Sequence, residues 1–146
     1  MNGTVVCVDA SLVLRLFLGP DDTRAWEQWD RWTAEGRTIH APALLGFETA
    51  NALHRFHRAG FLSRASRDVV LDAILALPIR LDNDAGLHRR ALALATELAL
   101  PAAYDAHYLA LARSLDAEFW TADARLARQV GDRSPRVMVL GAGSTD

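Results

Sequence analysis

The chain has 146 residues, 51% of them hydrophobic and 23% charged, with a formal net charge of −2. That length and balance exclude disorder and predict one globular domain, residues 1–146, burying about 70% of its unfolded surface. All sixteen basic residues are arginine, which excludes any chemistry that needs a lysine, and the net charge lacks the basic footprint of a protein held to nucleic acid by charge alone. No apolar run approaches the roughly 18 residues that span a bilayer, and no basic segment with a small-residue cleavage site opens the sequence. Cys7 is the single cysteine and sits in an apolar run, so an internal disulfide is excluded and a buried thiol is expected. The expected setting is cytoplasmic, with no membrane contact.

In chain order, residues 4–9 (TVVCVD) predict a buried strand ending in an acid, and 11–18 a short helix stopped by Gly19-Pro20. Residues 21–35 predict an amphipathic helix with Asp21 and Asp22 near its positive end. Trp26, Trp29 and Trp32 run along it; one or two are expected in the core, and an exposed remainder would suit a dimer or partner groove. A strand at 37–42 and a helix at about 43–58 ending at Gly60 follow, then a helix from the N-cap Ser63 to about 76. A weak strand at 79–82, helices at 84–99 and 104–115, a strand at 117–121, a short helix at 123–130 and a strand at 136–140 complete the order. The tail 141–146 is expected to be disordered. Strands alternating with helices predict the α/β class, a short and mainly parallel sheet flanked by helices.

In such a sheet, ligands sit beyond the carboxyl ends of the strands. Asp9 closes the first strand and Asp123 follows the strand at 117–121, so both fall at that edge. Asp105 opens a helix, and joins them only if the crossover brings that helix start over the same edge. Glu48 lies mid-helix with Leu44, Leu45, Asn51 and Ala52 on its face, a costly place for an unpaired carboxylate. Helix capping accounts for each aspartate on its own. Asp68, Asp72, Asp82, Asp84 and Glu97, in polar surroundings, read as solvated surface or caps.

Carboxylates brought together without cations raise one another's pKa and cost stability, which a divalent ion relieves. Oxygen-only ligands favour Mg²⁺ or Mn²⁺ over zinc. His54 and His57 stand three apart on one helix but belong to no zinc motif, and read as surface residues. Arg55, Arg58, Arg64 and Arg67 cluster after Glu48, as phosphate contacts or equally as a solvated arginine-rich surface.

The segments VVCVDASLVLRLFL, APALLGFETANALHR, AAYDAHYLALA and FWTADARLA occur in order and with suitable separations. Together they resemble the PIN-domain nucleases, and more closely the VapC-type ribonuclease toxins of toxin–antitoxin pairs, over nearly the whole chain. The resemblance matches Asp9, Glu48, Asp105 and Asp123 to the family's acidic quartet, Ser11 and Thr121 to its hydroxyl positions, and Asn51 to a polar position one turn after the glutamate. It implies a three-layer α/β/α fold and an endoribonuclease that depends on Mg²⁺ or Mn²⁺. On this reading Asp9 and Asp105 are the main metal ligands, Asp123 and Glu48 bind the ion directly or through water, and Ser11 and Thr121 orient a carboxylate or water. Water attacks the RNA phosphodiester in line, leaving 5′-phosphate and 3′-hydroxyl ends. The implied partners are an RNA substrate, a second copy of the chain, and a VapB-like antitoxin whose C-terminal segment lies along the toxin's groove. Phosphorelay receivers and haloacid-dehalogenase-type phosphatases are set aside, since both need a lysine. A non-catalytic PIN-like binding module and a housekeeping PIN nuclease without antitoxin remain open alternatives.

Overall fold

The computed structural model describes residues 3–19 and 23–141. Pro20, Asp21, Asp22 and residues 142–146 of the expected tail lie outside the described residues. Five strands and seven helices are described: β1 (Val5–Val8), α1 (Ala10–Leu18), α2 (Arg24–Ala34), β2 (Thr38–Pro42), α3 (Leu44–Arg58), α4 (Arg64–Leu75), β3 (Ile79–Asp82), α5 (Gly86–Glu97), α6 (Tyr104–Ser114), β4 (Glu118–Thr121), α7 (Ala124–Val130) and β5 (Val137–Val139).

The sheet runs β3-β2-β1-β4-β5 with every pairing parallel. The chain lays β2 and then β3 on one side of β1, then returns to place β4 and β5 on the other. Right-handed crossovers made in opposite directions put their helices on opposite faces. Accordingly α1 to α4 pack on one another and α5 packs on α6, giving three layers, α/β/α. The order reverses between β1 and β4, so the crevice beyond their carboxyl ends is the switch point of the sheet.

Burial follows position in the sheet. Central β1 is buried throughout, β4 alternates with Phe119 and Thr121 inward, and the edge strands β3 and β5 are only partly covered. Cys7 is fully buried, and burial, with the Asp82 carboxylate second, pushes its thiol up to about 12. Trp29 and Trp32 enter the core. Trp26 is 37% exposed, yet its indole N–H donates to the Leu16 carbonyl and its ring packs edge-on against Phe17, so it forms a wall and is not a free anchor.

The helix carrying Asp105 has the ordinary sense for this fold. α6 ends three residues before β4, and β4 is parallel to β1, so α6 descends antiparallel to the strands and starts at their carboxyl edge. The helix between, α5, absorbs the extra length of the crossover from the outer strand β3.

Among the described residues two non-glycines adopt left-handed backbone, Ala99 at φ 54° after α5 and Asp116 at φ 50° after α6. Ala99 sits where a helix C-terminus favours glycine, because its Cβ crowds the carbonyl. Ala99→Gly is therefore expected to stabilise the fold by about 0.5–1 kcal/mol. Urea unfolding checks this, and an unchanged or lowered midpoint would count against strain at this turn.

Candidate active site

Asp9 is the residue after β1 and the N-cap of α1, and its Oδ1 accepts from the Leu12 N–H at 3.0 Å. Ser11 Oγ donates to the same oxygen at 2.7 Å, and Thr121 Oγ1, from the last residue of β4, donates to Oδ2 at 2.5 Å. Each hydroxyl also accepts from the backbone beyond β4: Ser11 from Ala122 N–H and Thr121 from Asp123 N–H, both at 3.0 Å. The two hydroxyls approach to 3.1 Å, but each has one proton and each gives it to Asp9. The result is a stitch across the switch point, with Asp9 only 7% exposed and Thr121 fully buried.

Asp123 repeats the pattern one strand over. It is the N-cap of α7, with Oδ1 accepting from Arg125 N–H at 3.0 Å, and the Arg125 guanidinium lies 3.5 Å from the same oxygen. Asp105 sits in the first turn of α6, after its cap Ala103. Glu48, in mid-α3, is met by Tyr108 of α6, whose buried hydroxyl donates to Oε1 at 2.5 Å.

These residues line one open cleft of about 290 Å³: Asp9, Glu48, Asp105 and Asp123, with Ser11, Asn51, Arg55 and Tyr108 and the apolar Ala10, Leu14 and Ala52. Of the four arginines marked out by the sequence, Arg55 alone lines it; Arg58 and Arg64 point to solvent and Arg67 pairs with Asp68 at 2.8 Å. Thr121 lies beneath the cleft, as a support. Tyr108 is the site residue that sequence reasoning missed; its signal was its place one turn after Asp105 on the same helix face. His54 is exposed, and His57 meets the Leu62 carbonyl at 2.9 Å, so neither enters the cleft.

The cleft is short of positive charge. Burial pushes the Asp9 carboxyl up to about 6, against the lowering hydrogen bonds from Thr121, Ser11 and Leu12, with Asp105 adding to the rise. Desolvation, then Asp123, raises Asp105, with Arg125 opposing. Burial, the bond to Glu48 and the nearby Asp9 and Asp105 carboxylates all push the Tyr108 phenol up, so it stays a donor. The donors are hard oxygens and their excess negative charge suits a hard divalent ion. They share the cleft without converging: among the described residues, no three His, Cys, Asp or Glu side chains stand close enough together to hold an ion as placed. Three of the acids instead have a local partner, the hydroxyls for Asp9, Tyr108 for Glu48 and the α7 backbone for Asp123.

A parallel α/β domain with four carboxylates lining the switch point of its sheet is the class that fold and cleft define. The chain belongs to the PIN domain family, whose sequence profile matches residues 6–131. Among solved structures it is similar to PAE2754 of Pyrobaculum aerophilum, with TM-score 0.66 and 24% identity over 86% of this chain and 84% of that one. It is also similar to VapBC2 of Rickettsia felis bound to a DNA fragment from its promoter, with TM-score 0.69 and 13% identity over 93% and 98%. A toxin–antitoxin complex from Klebsiella pneumoniae gives TM-score 0.67 and 18% identity over 92% and 96%. At these identities the likeness is one of fold. No curated protein matches the chain in sequence.

Asp9 makes the stability of the metal-free protein depend on pH. Its folded pKa lies above the ordinary 3.8, so the folded state holds the proton more tightly than the unfolded chain. The corresponding stability is complete below about pH 4 and lost as pH rises through about 6, on the order of 3 kcal/mol. Asp9→Asn keeps the shape and removes the charge. In chelator at pH 7.5 it should be more stable than the wild type by about 1–3 kcal/mol, with the gap closing by pH 4.5. Thermal unfolding at the two pH values checks this; a variant less stable at pH 7.5 would refute the buried-charge account.

Proposed function

We propose that the protein is an endoribonuclease dependent on Mg²⁺ or Mn²⁺ that acts as the toxin of a type II toxin–antitoxin pair. The observation that carries this reading is the single cleft at the switch point lined by Asp9, Glu48, Asp105 and Asp123. Membership of the PIN domain family supports it, and so does the fold shared with VapBC2 and with the Klebsiella toxin–antitoxin complex.

Asp9, Asp105, Asp123 and Glu48 would hold the ion. When bound, a divalent ion supplies charge that offsets the carboxylates and stabilises negative charge developing on a phosphate. The chain's own residues do the positioning. Thr121 from β4 and Ser11 from α1 fix both oxygens of Asp9, and hydroxyls bonded in this way orient a metal-binding carboxylate. Tyr108 aims Glu48 from α6. Arg55 at the rim offers a guanidinium to an RNA phosphate, and Asn51 beside it a neutral polar contact.

The partner calls follow from the same surface. A shallow depression of about 340 Å³ lined by Ala52, Arg55, Phe56, Ala59 and Phe61 shares Ala52 and Arg55 with the cleft. Its apolar floor beside an acidic cleft suits the C-terminal segment of a VapB-like antitoxin. A homodimer in the cytoplasm completes the reading; no helix among the described residues is long and apolar enough to cross a membrane.

The decisive experiment is cleavage of structured RNAs with Mg²⁺ or Mn²⁺, with and without chelator, by the wild type and Asp9→Asn. Cleavage is expected only with the ion, and about 100-fold or more slower in the variant. Activity surviving both chelator and substitution would sink the mechanism, and inactive wild type under all conditions would leave the binding-module alternative standing. Growth arrest on expression, relieved by the product of a neighbouring small gene, separates a toxin from a housekeeping nuclease. Arg55→Ala is expected to weaken RNA binding and lower the salt slope of log K by about 1, while Arg58→Ala and Arg64→Ala change it little. Equal losses at all three would indicate a diffuse basic surface.

A further inference from the structure

Next to Glu48's partner Tyr108 on α6, His107 joins His88 of α5 in a pair of imidazoles that the nuclease reading does not use. His88 in the first turn of α5 and His107 in the first turn of α6 meet with Nδ1 of His88 2.9 Å from Nε2 of His107. The rings cross at 68° with centroids 5.1 Å apart. Neither residue lines the acidic cleft.

The tautomers follow from the neighbouring bond. His107 Nδ1 lies 2.7 Å from the Ala103 carbonyl, which only accepts, so Nδ1 carries the proton. In the neutral ring Nε2 then presents a lone pair, and His88 Nδ1–H donates to it. A ring N–H held by a backbone carbonyl, with the other nitrogen directed outward, is the arrangement that orients metal-binding histidines. The backbone on each side is fixed, since the adjacent Leu87 and Ala106 are buried between the helices. Two nitrogens on a tetrahedral ion at 2.0–2.1 Å stand about 3.3 Å apart. The observed separation is a few tenths of an ångström short of that, and the exposed His88 ring has to turn so that both lone pairs meet at the ion.

We infer that His88 and His107 form a site for a divalent transition ion that prefers imidazole, with Zn²⁺ as the representative, separate from the acidic cleft. Nδ1 of His88 and Nε2 of His107 are the protein ligands, and water completes the coordination. The proton on His88 Nδ1 passes through solvent to its Nε2, so both rings bind as neutral imidazoles. Asp84, one turn before His88, is committed to the Gly86 N–H at 3.0 Å and to Arg90 at 3.1 Å. No third His, Cys, Asp or Glu joins the pair among the described residues. The ion ties α5 to the first turns of α6, the segment that carries Asp105 and Tyr108, and imidazole ligation separates it from the hard ions that suit the cleft.

The test is the thermal midpoint of the full chain with and without ZnCl₂, in a buffer that does not chelate, with MgCl₂ as the hard-ion control. Zn²⁺ is expected to raise the midpoint of the wild type by about 2–4 °C. The rise should persist in Asp9→Asn and fall to less than half in His88→Ala, an exposed position whose loss leaves the core intact. Calorimetric titration of His107→Gln provides the second measurement, with loss of one zinc equivalent per chain expected. An equal rise in the wild type and His88→Ala, no rise in the wild type, or an undiminished zinc equivalent in His107→Gln would each overturn the assignment.

Discussion

The structure depends on how one buried carboxylate is held. Asp9 lies between the first strand and the first helix, and both of its oxygens accept hydroxyl protons, from Ser11 beside it and from Thr121 at the end of β4. The same two hydroxyls accept the N–H groups of Ala122 and Asp123. One small network thus joins the ends of β1 and β4 where the sheet order reverses. Burial costs the charged form more than these bonds return, so the carboxyl stays well above its ordinary pKa.

The remaining acids extend that imbalance. Asp105 raises Asp9, Asp123 raises Asp105, and Asp9 and Asp105 both act on Tyr108. The fold tolerates this because three helices begin at the cleft: α1 after Asp9, α7 after Asp123 and α6 around Asp105. Helix N-termini carry partial positive charge and unpaired N–H groups, which favour carboxylates within the first turn. Glu48 has no such end to rest on, since it lies mid-helix, and Tyr108 supplies its one strong donor.

Much of this was legible in the sequence. The strands are short apolar runs bounded by glycine, proline or acids, so every element was recovered, with ends shifted by one to three residues. Ser63 caps α4 through Ser66 N–H, as its position before an amphipathic run predicts. Contacts between residues far apart in sequence were not legible. Nothing local shows that Tyr108 reaches Glu48, or that Asp82, which reads as a surface acid, meets His40 at 3.2 Å on the neighbouring strand. The gathering of the acids is of the same kind: four residues from four elements line one cleft, because of where the sheet starts its crossover helices and where α3 passes.

Capping and site chemistry look like competing explanations of the same aspartates when the sequence is read one residue at a time. The structure removes the competition. Asp9 and Asp123 do cap helices, and capping is what turns their carboxylates toward the carboxyl edge of the sheet, because a parallel sheet starts its crossover helices there. The N-terminus of each helix stabilises the acid that begins it, and the sheet brings those helix starts side by side. An acidic cleft is therefore the default product of this topology once acids occupy the caps. What marks this cleft beyond that default is Glu48, a carboxylate that caps nothing, carried on an inward helix face and held by a buried tyrosine. Its place has no explanation in helix stability, so it is the residue that most directly argues for chemistry at the site.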